Sequence, residues 1–151
     1  MQEEKIIYEE ENKETVSNSI IAYIQKEGIW ALYGRKPDVS KHECLNVGKC
    51  KDVGKEILYD LGCLHFVGFR DDIDDDTKPY INQFNDECQF RYKANQVQEY
   101  LYPYLATQYC AFRFVYVYDK SDREKETEYA KEKHAKFWRN GAPYRISKKP
   151  N

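Results

Sequence analysis

Residues 28–53 read GIWALYGRKPDVSKHECLNVGKCKDV, and this stretch decides the fold. Residues 29–33 are apolar or aromatic throughout, which predicts a buried strand. The glycine and proline in residues 34–38 predict a turn. A second strand is expected near residues 43–48, after a short polar connection. The stretch therefore predicts two short strands that flank Pro37 and pair as a ribbon.

The residues that follow predict a helix packed on this ribbon. Asp52 or a neighbour is suited to cap its first turn, because a short polar side chain can accept a hydrogen bond from an unpaired backbone N–H. Four apolar residues then have the spacing of one helical face: Val53, Ile57, Leu58 and Leu61. Gly62 is expected to end the helix.

Other elements are predicted on both sides of this unit. They are helices over residues 16–27, 94–104 and 121–137, and a strand over residues 111–118. Pro103 is expected to bend or end the second of these helices, because proline lacks a backbone N–H. Ser121 or Asp122 is expected to cap the third helix. The assignment of residues 63–92 stays open, with a strand at 64–69 as one possibility.

These elements predict an α+β domain, with a small antiparallel or mixed sheet of about three or more strands and helices packed on it. A length of 151 residues fits one domain, expected at residues 15–146. Residues 1–14 form an acidic arm that is either frayed or packed through the apolar island at residues 6–8. Residues 147–151 form a basic tail.

The composition excludes several classes of protein. The chain has 24 basic and 26 acidic side chains, so any nucleic-acid site must be a local basic patch. No stretch approaches the roughly 20 apolar residues of a membrane span, so no membrane partner is expected. The N-terminus has no apolar signal segment, which predicts a cytoplasmic location. The five cysteines are an odd number without a CxxC pair, and reduced thiols are expected.

Two short motifs flank the predicted turn. GIW at residues 28–30 opens the first strand, and NVG at residues 46–48 closes the second, before KCKDV at residues 49–53 enters the helix. This arrangement resembles the signature of the GIY-YIG nuclease superfamily. The strand at residues 111–118, the charged helix after it and APYR at residues 142–145 resemble the second half of that family's domain.

The resemblance implies a site that cleaves a phosphodiester. In that family the site is built from tyrosines of both motifs, an arginine on the first helix and a glutamate on the late helix that holds one divalent ion. Here the tyrosine positions hold Trp30 and Asn46, the arginine position holds Glu56, and the terminal asparagine position holds Arg145. The catalytic positions are therefore largely substituted, which implies impaired or lost nuclease activity.

Displaced side chains are candidates to replace the lost groups. Tyr33 could supply a phenol, although strand alternation places it on the face opposite Trp30. Arg35, or Lys55, could supply the cation that neutralises a phosphate. Glu128 is the candidate ligand for Mg²⁺ or another divalent ion, which would be required if the site is active.

Two charged segments suggest partners other than a small molecule. Basic residues are interleaved with aromatic rings toward the C-terminus, which suits binding to a single strand or a phosphate backbone. The candidate nucleic-acid-binding residues are Lys131, Lys136, Arg139, Arg145 and Trp138. The aspartate-rich residues 71–76 could instead imitate phosphates and occupy a partner's nucleic-acid groove, or form an ordinary solvated loop.

Two classes of function remain open. As an enzyme, the protein would be an endonuclease that depends on a divalent ion. As a non-enzymatic protein, it would bind nucleic acid, or it would inhibit a nucleic-acid-binding protein through its acidic and tyrosine-rich surfaces.

Overall fold

The computed structural model describes residues 4–11, 14–16, 19–65 and 97–138. The described chain contains six strands and three α-helices, and one 3₁₀ turn precedes the central strand. The elements are β1 (Lys5–Glu11), β2 (Glu14–Val16), a 3₁₀ turn (Ile21–Tyr23), β3 (Gly28–Arg35), β4 (Glu43–Cys50), α1 (Val53–His65), α2 (Val97–Gln108), β5 (Cys110–Tyr118), α3 (Arg123–Glu132) and β6 (Phe137–Trp138).

The strands form one sheet with the order β2-β1-β5-β3-β4-β6. The pairs β1/β2, β1/β5, β3/β5 and β3/β4 are antiparallel, whereas β6 pairs with β4 in parallel. The predicted α+β class with an antiparallel or mixed sheet is therefore confirmed. None of the described helices has both the length and the apolar character needed to cross a membrane.

The predicted ribbon around Pro37 is confirmed. β3 and β4 pair antiparallel from Gly28↔Cys50 to Gly34↔Glu43, with an irregularity in register between Leu32 and Tyr33. β3 also pairs with β5 along its other edge. It therefore lies inside the sheet, and its residues 28–32 are all buried. An interior strand covered on both faces has to be apolar throughout, which explains the composition of residues 29–33.

Helices lie on both faces of the sheet. The Asn46 amide nitrogen donates to the Tyr102 hydroxyl on α2 at 2.9 Å, and this contact defines the α1–α2 face. Tyr33 and Tyr129 on α3 have their hydroxyl oxygens 2.6 Å apart, and this contact defines the α3 face. Successive side chains of a strand point to opposite faces, so the two sides of β3 and β4 have different environments.

Helix α1 is confirmed, and its predicted end is wrong. The Asp52 carboxylate accepts from the backbone N–H of Lys55 at 3.1 Å, as expected for a cap. The helix continues through Gly62 to His65, so Leu64 and His65 are helical and do not begin a strand at 64–69. The backbone of Gly62 has no positive φ, and the remainder of the proposed strand lies outside the described residues.

Helices α2 and α3 also end at residues other than those predicted from the sequence. α2 does not stop at residue 104 but passes Pro103 and reaches Gln108. Asp122 caps α3 by accepting from the Lys125 N–H at 2.9 Å. α3 ends at Glu132 and not near Phe137, because His134 adopts a left-handed conformation with φ 53° that the helix cannot continue through.

The predicted helix over residues 16–27 is wrong in the described residues. Val16 belongs to β2, and only Ile21–Tyr23 forms a single 3₁₀ turn. The segment is held by the start of α1, since Asp52 accepts from the Gln25 N–H at 2.9 Å and the Lys26 carbonyl accepts from the Val53 N–H at 2.8 Å. These tertiary hydrogen bonds replace the intrahelical bonds that a helix would use.

Residues 5–11 of the predicted acidic arm form a strand of the sheet. β1 pairs with β5, with Ile6 opposite Val115 and Tyr8 opposite Phe114. Ile7 and Tyr8 are buried, so packing through the apolar island is the alternative that the structure shows. The sheet thus starts at Lys5, within the segment that the sequence analysis assigns to the arm. Residues 71–76 and 147–151 lie outside the described chain.

A substitution at Gly48 tests the packing around Trp30, and a substitution at Gly62 is its control. A Cβ at Gly48 would lie 2.5 Å from Cζ2 of the Trp30 indole, whereas a Cβ at Gly62 would meet nothing within 4 Å. Gly48→Ala is expected to lower the free energy of unfolding by about 1–3 kcal/mol through overpacking. Gly62→Ala should raise it by about 0.5–1 kcal/mol, because alanine favours a helix interior. Urea denaturation measures both, and equal stability of Gly48→Ala and the wild type would contradict this packing.

The hydrogen bonds of the Glu27 carboxylate are expected to make the stability of the folded protein depend on pH. Its carboxylate accepts from the backbone N–H and the hydroxyl of Ser121, each at 3.0 Å, and from Lys51 Nζ at 3.3 Å. These bonds lower the pKa of Glu27 from 4.5 to about 2. A lowered folded-state pKa contributes stability above pH 4.5 that is lost as pH falls toward 2.

Thermal unfolding is measured as the pH falls from 4.5 to about 2. Glu27→Gln is expected to lose less stability over this pH range than the wild type. Glu124→Gln, on the exposed side of α3, is the matched control and should follow the wild type. Equal pH dependence in Glu27→Gln and the wild type would contradict this role of Glu27.

Candidate functional site

The two motif positions that the resemblance designates as tyrosines lie in the core. Trp30 is 2% exposed and Asn46 is 4% exposed. Trp30 is opposite Gly48 in the ribbon, and its indole covers that glycine. Asn46 is opposite Leu32 on the same face. The structure therefore brings these two predicted site residues to the α1–α2 face and covers both.

Asn46 belongs to a buried chain of hydrogen bonds. Its amide nitrogen donates to the Tyr102 hydroxyl at 2.9 Å, and that hydroxyl donates to Asp60 Oδ2 at 2.9 Å. Asp60 is fully buried on α1. Trp30 Nε1 and Asn46 Oδ1 are buried without a hydrogen-bond partner in the part of the chain that the structure describes. Polar atoms at the motif positions are thus enclosed rather than presented to a substrate.

Glu56 lies in the first turn of α1 and is half-buried beside Cys50. Burial raises the pKa of the Cys50 thiol to about 12, and the negative charges of Glu56 and Asp60 add to this shift. The environment around Cys50 therefore disfavours added negative charge. A phosphate would be repelled at the position where the nuclease family places an arginine.

Tyr33 lies on the α3 face, opposite Trp30, as strand alternation predicts. Its hydroxyl contacts that of Tyr129, and the Tyr129 hydroxyl donates to Glu4. Burial raises the pKa of Tyr33, and burial together with the Glu4 carboxylate raises the pKa of Tyr129. Both phenols are therefore protonated at neutral pH, and Tyr33 does not supply a phenolate in this arrangement.

Cys44 is also buried on this side of the ribbon, beside Tyr33. Burial raises the pKa of its thiol to about 12. A thiol that stays protonated is a poor nucleophile, so Cys44 is a packing residue in this environment.

Arg35 lies at the rim of the sheet, apart from the buried motif positions. Its Nη1 donates to the Val39 carbonyl at 3.4 Å within the loop between β3 and β4. It lines an open cavity of about 400 Å³ together with His42 and side chains of β1. The structure thus separates Arg35 from Trp30 and Asn46, although sequence places all three in the same ribbon.

Glu128, the candidate metal ligand, lies on the exposed side of α3. One of its oxygens is 3.6 Å from Lys125 Nζ. Among the described residues, no group of three or more His, Cys, Asp or Glu side chains is placed to hold a metal ion. Glu128 is therefore placed beside a cation of its own helix, and not within a group of three or more ligand side chains in the described residues.

The candidate nucleic-acid residues are described only in part. Lys131 is exposed at the end of α3, while Lys136 is half-buried with its Nζ 3.5 Å from Glu43. Trp138 is in β6, opposite Val47, and nothing is described of its side chain. Arg139 and Arg145 lie outside the described residues. Lys133 and His134 extend the exposed basic stretch that begins at Lys131.

Sequence reasoning missed several residues that organise the site. They are Glu4, Asp60, Tyr102 and Tyr129. Asp60 had a detectable signal, since it lies three residues after Ile57 and four before Leu64 on the buried side of α1. The other three had no local signal, because each acts through a contact with a distant part of the chain.

A substitution at Tyr102 tests the buried chain of hydrogen bonds. Tyr102→Phe removes the hydroxyl that accepts from Asn46 and donates to Asp60, and it should lower the free energy of unfolding by about 1–3 kcal/mol. Tyr118→Phe, on the partly exposed end of β5, is the control and should change it by less than about 0.5 kcal/mol. Equal losses in the two variants, measured by urea denaturation, would rule out a special role for the Tyr102 hydroxyl.

Comparison of the chain with protein-family models, with curated proteins and with solved structures finds no match in any of the three. Support for a function therefore comes from the residues and contacts of this chain.

Proposed function

We propose that this protein is a divergent GIY-YIG-type protein that binds nucleic acid and has lost most or all nuclease activity. One observation carries the proposal: Trp30 and Asn46, which stand at the two motif positions, are 2% and 4% exposed. A phosphodiester cannot reach side chains that are enclosed in the core.

The chemistry of the neighbouring groups agrees with loss of cleavage. Indole has no proton to exchange near neutral pH, and the Asn46 amide is committed to Tyr102. Glu56 brings negative charge where the transition state of phosphodiester cleavage needs positive charge. Partial burial raises the pKa of the Tyr33 phenol, so it stays protonated at neutral pH. The positions that the resemblance designates for catalysis therefore lack an accessible base and a cation.

The end of α3 supports binding to nucleic acid. Lys131, Lys133 and His134 are exposed there. Lys133 Nζ lies 5.8 Å from the centre of the Tyr129 ring, so the basic residues adjoin the tyrosine pair of the α3 face. Tyr129 itself is 2% exposed, so the exposed cations beside it, rather than its ring, are the groups that would contact the phosphates of a nucleic acid. We call Lys131, Lys133 and His134, which flank the exposed Glu132, the α3 basic surface.

Fluorescence anisotropy with an unphosphorylated single-stranded oligonucleotide tests this surface. The wild type is expected to bind, more weakly at higher salt, because phosphate contacts release counterions. The double variant Lys131→Glu/Lys133→Glu should lose roughly tenfold in affinity or more. The double variant Lys26→Glu/Lys120→Glu makes the same charge change at two exposed positions outside α3, and it should retain affinity within about twofold.

A plasmid-nicking assay with Mg²⁺ on the same preparations completes the experiment. No cleavage that depends on the metal is expected. Cleavage by the wild type that disappears in Glu128→Ala would overturn the proposal in favour of an active endonuclease. A protein that neither binds oligonucleotides nor cuts would also overturn it, and would favour the alternative of an inhibitor that binds a nucleic-acid-handling protein.

A further inference from the structure

A second polar site lies at the rim of the sheet, away from the α3 basic surface. It is the open cavity of about 400 Å³ where the loop between β3 and β4 faces the end of β1 and the start of β5. Its volume is within the range of small-molecule sites. Its polar lining residues are Glu9, Glu10, Arg35, Asp38, Ser40 and His42.

Two of the three acidic side chains in this lining already have hydrogen-bond partners within the protein. Glu9 Oε1 accepts from Arg113, with Nε at 2.7 Å and Nη2 at 2.5 Å. Glu10 Oε2 lies 2.6 Å from His65 Nε2 and accepts from the Tyr8 hydroxyl at 2.6 Å. Because Arg113 is a permanent cation, Glu9 contributes less negative charge to the cavity than an unpaired carboxylate would.

Arg35 has most of its hydrogen-bonding capacity unused. In the described part of the chain its guanidinium has a single hydrogen bond, the 3.4 Å contact from Nη1 to the Val39 carbonyl. A guanidinium carries five N–H donors in a planar fork that matches the oxygens of a phosphate or carboxylate. A half-buried arginine of this kind is suited to an anion that enters the cavity.

His42 is held in place beside Arg35. Its ring is hydrogen-bonded to the backbone of Ala111, a residue with the unusual φ of 53°. Burial, Arg113 and Arg35 lower the pKa of His42, while the Ala111 bond and Glu9 oppose that shift. A neutral imidazole in a rigid position is a hydrogen-bonding partner for a ligand. Residues in left-handed conformations other than glycine are enriched at ligand sites, because the strain is retained where geometry matters.

The loop supplies partners of another kind. Asp38, which also has a left-handed conformation with φ 64°, and Ser40 line the same cavity. A carboxylate only accepts hydrogen bonds, and a serine hydroxyl both donates and accepts. Such groups bind ligand hydroxyls. The cavity therefore combines an anion-binding arginine with side chains that suit the hydroxyl groups of a sugar.

We propose that this cavity binds a sugar phosphate monoester, with Arg35 holding the phosphate and with His42, Asp38 and Ser40 contacting neighbouring hydroxyl groups. A free mononucleotide and the 5′-phosphorylated end of a nucleic acid share this chemistry. The site is separate from the α3 basic surface and does not depend on the proposed function.

Isothermal titration calorimetry with a nucleoside 5′-monophosphate tests the site directly. The wild type is expected to bind it, and to bind the unphosphorylated nucleoside at least about tenfold more weakly, because the charge-assisted bonds to Arg35 are lost. Arg35→Ala should weaken binding of the monophosphate roughly tenfold or more. Lys41→Ala removes a neighbouring exposed cation that does not line the cavity, and it should retain affinity within about twofold.

Two further comparisons complete the design. Arg35→Lys keeps the charge but not the planar fork and should bind with intermediate affinity, while thermal unfolding confirms that each variant is folded. Oligonucleotides with and without a 5′-phosphate distinguish a strand end from a free nucleotide as the source of the ligand. Absence of monophosphate binding at millimolar concentration, or equal affinity in Arg35→Ala and Lys41→Ala, would overturn the proposal. Loss of strand binding alone would leave this site intact.

Discussion

The central position of β3 is the constraint on which the rest of the structure depends. This strand is paired with β4 along one edge and β5 along the other, and its residues from Gly28 to Leu32 are all buried. A strand in that position needs apolar side chains on both faces and elements to cover each of them. Helices α1 and α2 cover one face and α3 packs on the other. The long-range pairing of β5, and of β1 beyond it, completes the sheet.

The same constraint separates the groups that the family resemblance would bring together. Trp30 and Tyr33 lie three positions apart on one strand, so their side chains point to opposite faces. Trp30 is enclosed with Asn46, whereas Tyr33 contacts Tyr129 on the α3 face of the sheet. The arginine that follows, Arg35, reaches the rim and lines a cavity. The polar groups of one short ribbon thus have three separate environments.

The elements predicted correctly from sequence are those with strong local patterns. The apolar runs of β3 and β5, the helical spacing of α1 and the capping aspartates at Asp52 and Asp122 all act within a few residues. The failures have equally specific causes. The segment before β3 has helical apolar spacing, but hydrogen bonds to Asp52 and Val53 fold it as a short turn. For β1 the sequence left two alternatives open, a frayed arm or packing through residues 6–8, and the pairing with β5 and the burial of Ile7 and Tyr8 decide for packing.

Sequence alone determined the fold class, the ribbon around Pro37 and the helix that follows it, because alternation, turn residues and caps are short-range signals. It also identified Trp30, Asn46, Tyr33 and Arg35 as the polar and aromatic positions of that ribbon. Only the tertiary structure decided which of them are buried, which partners they have and which one faces solvent. Burial and hydrogen bonding depend on residues distant in sequence, such as Asp60, Tyr102 and Tyr129, whose approach is set by the packing of helices on the sheet.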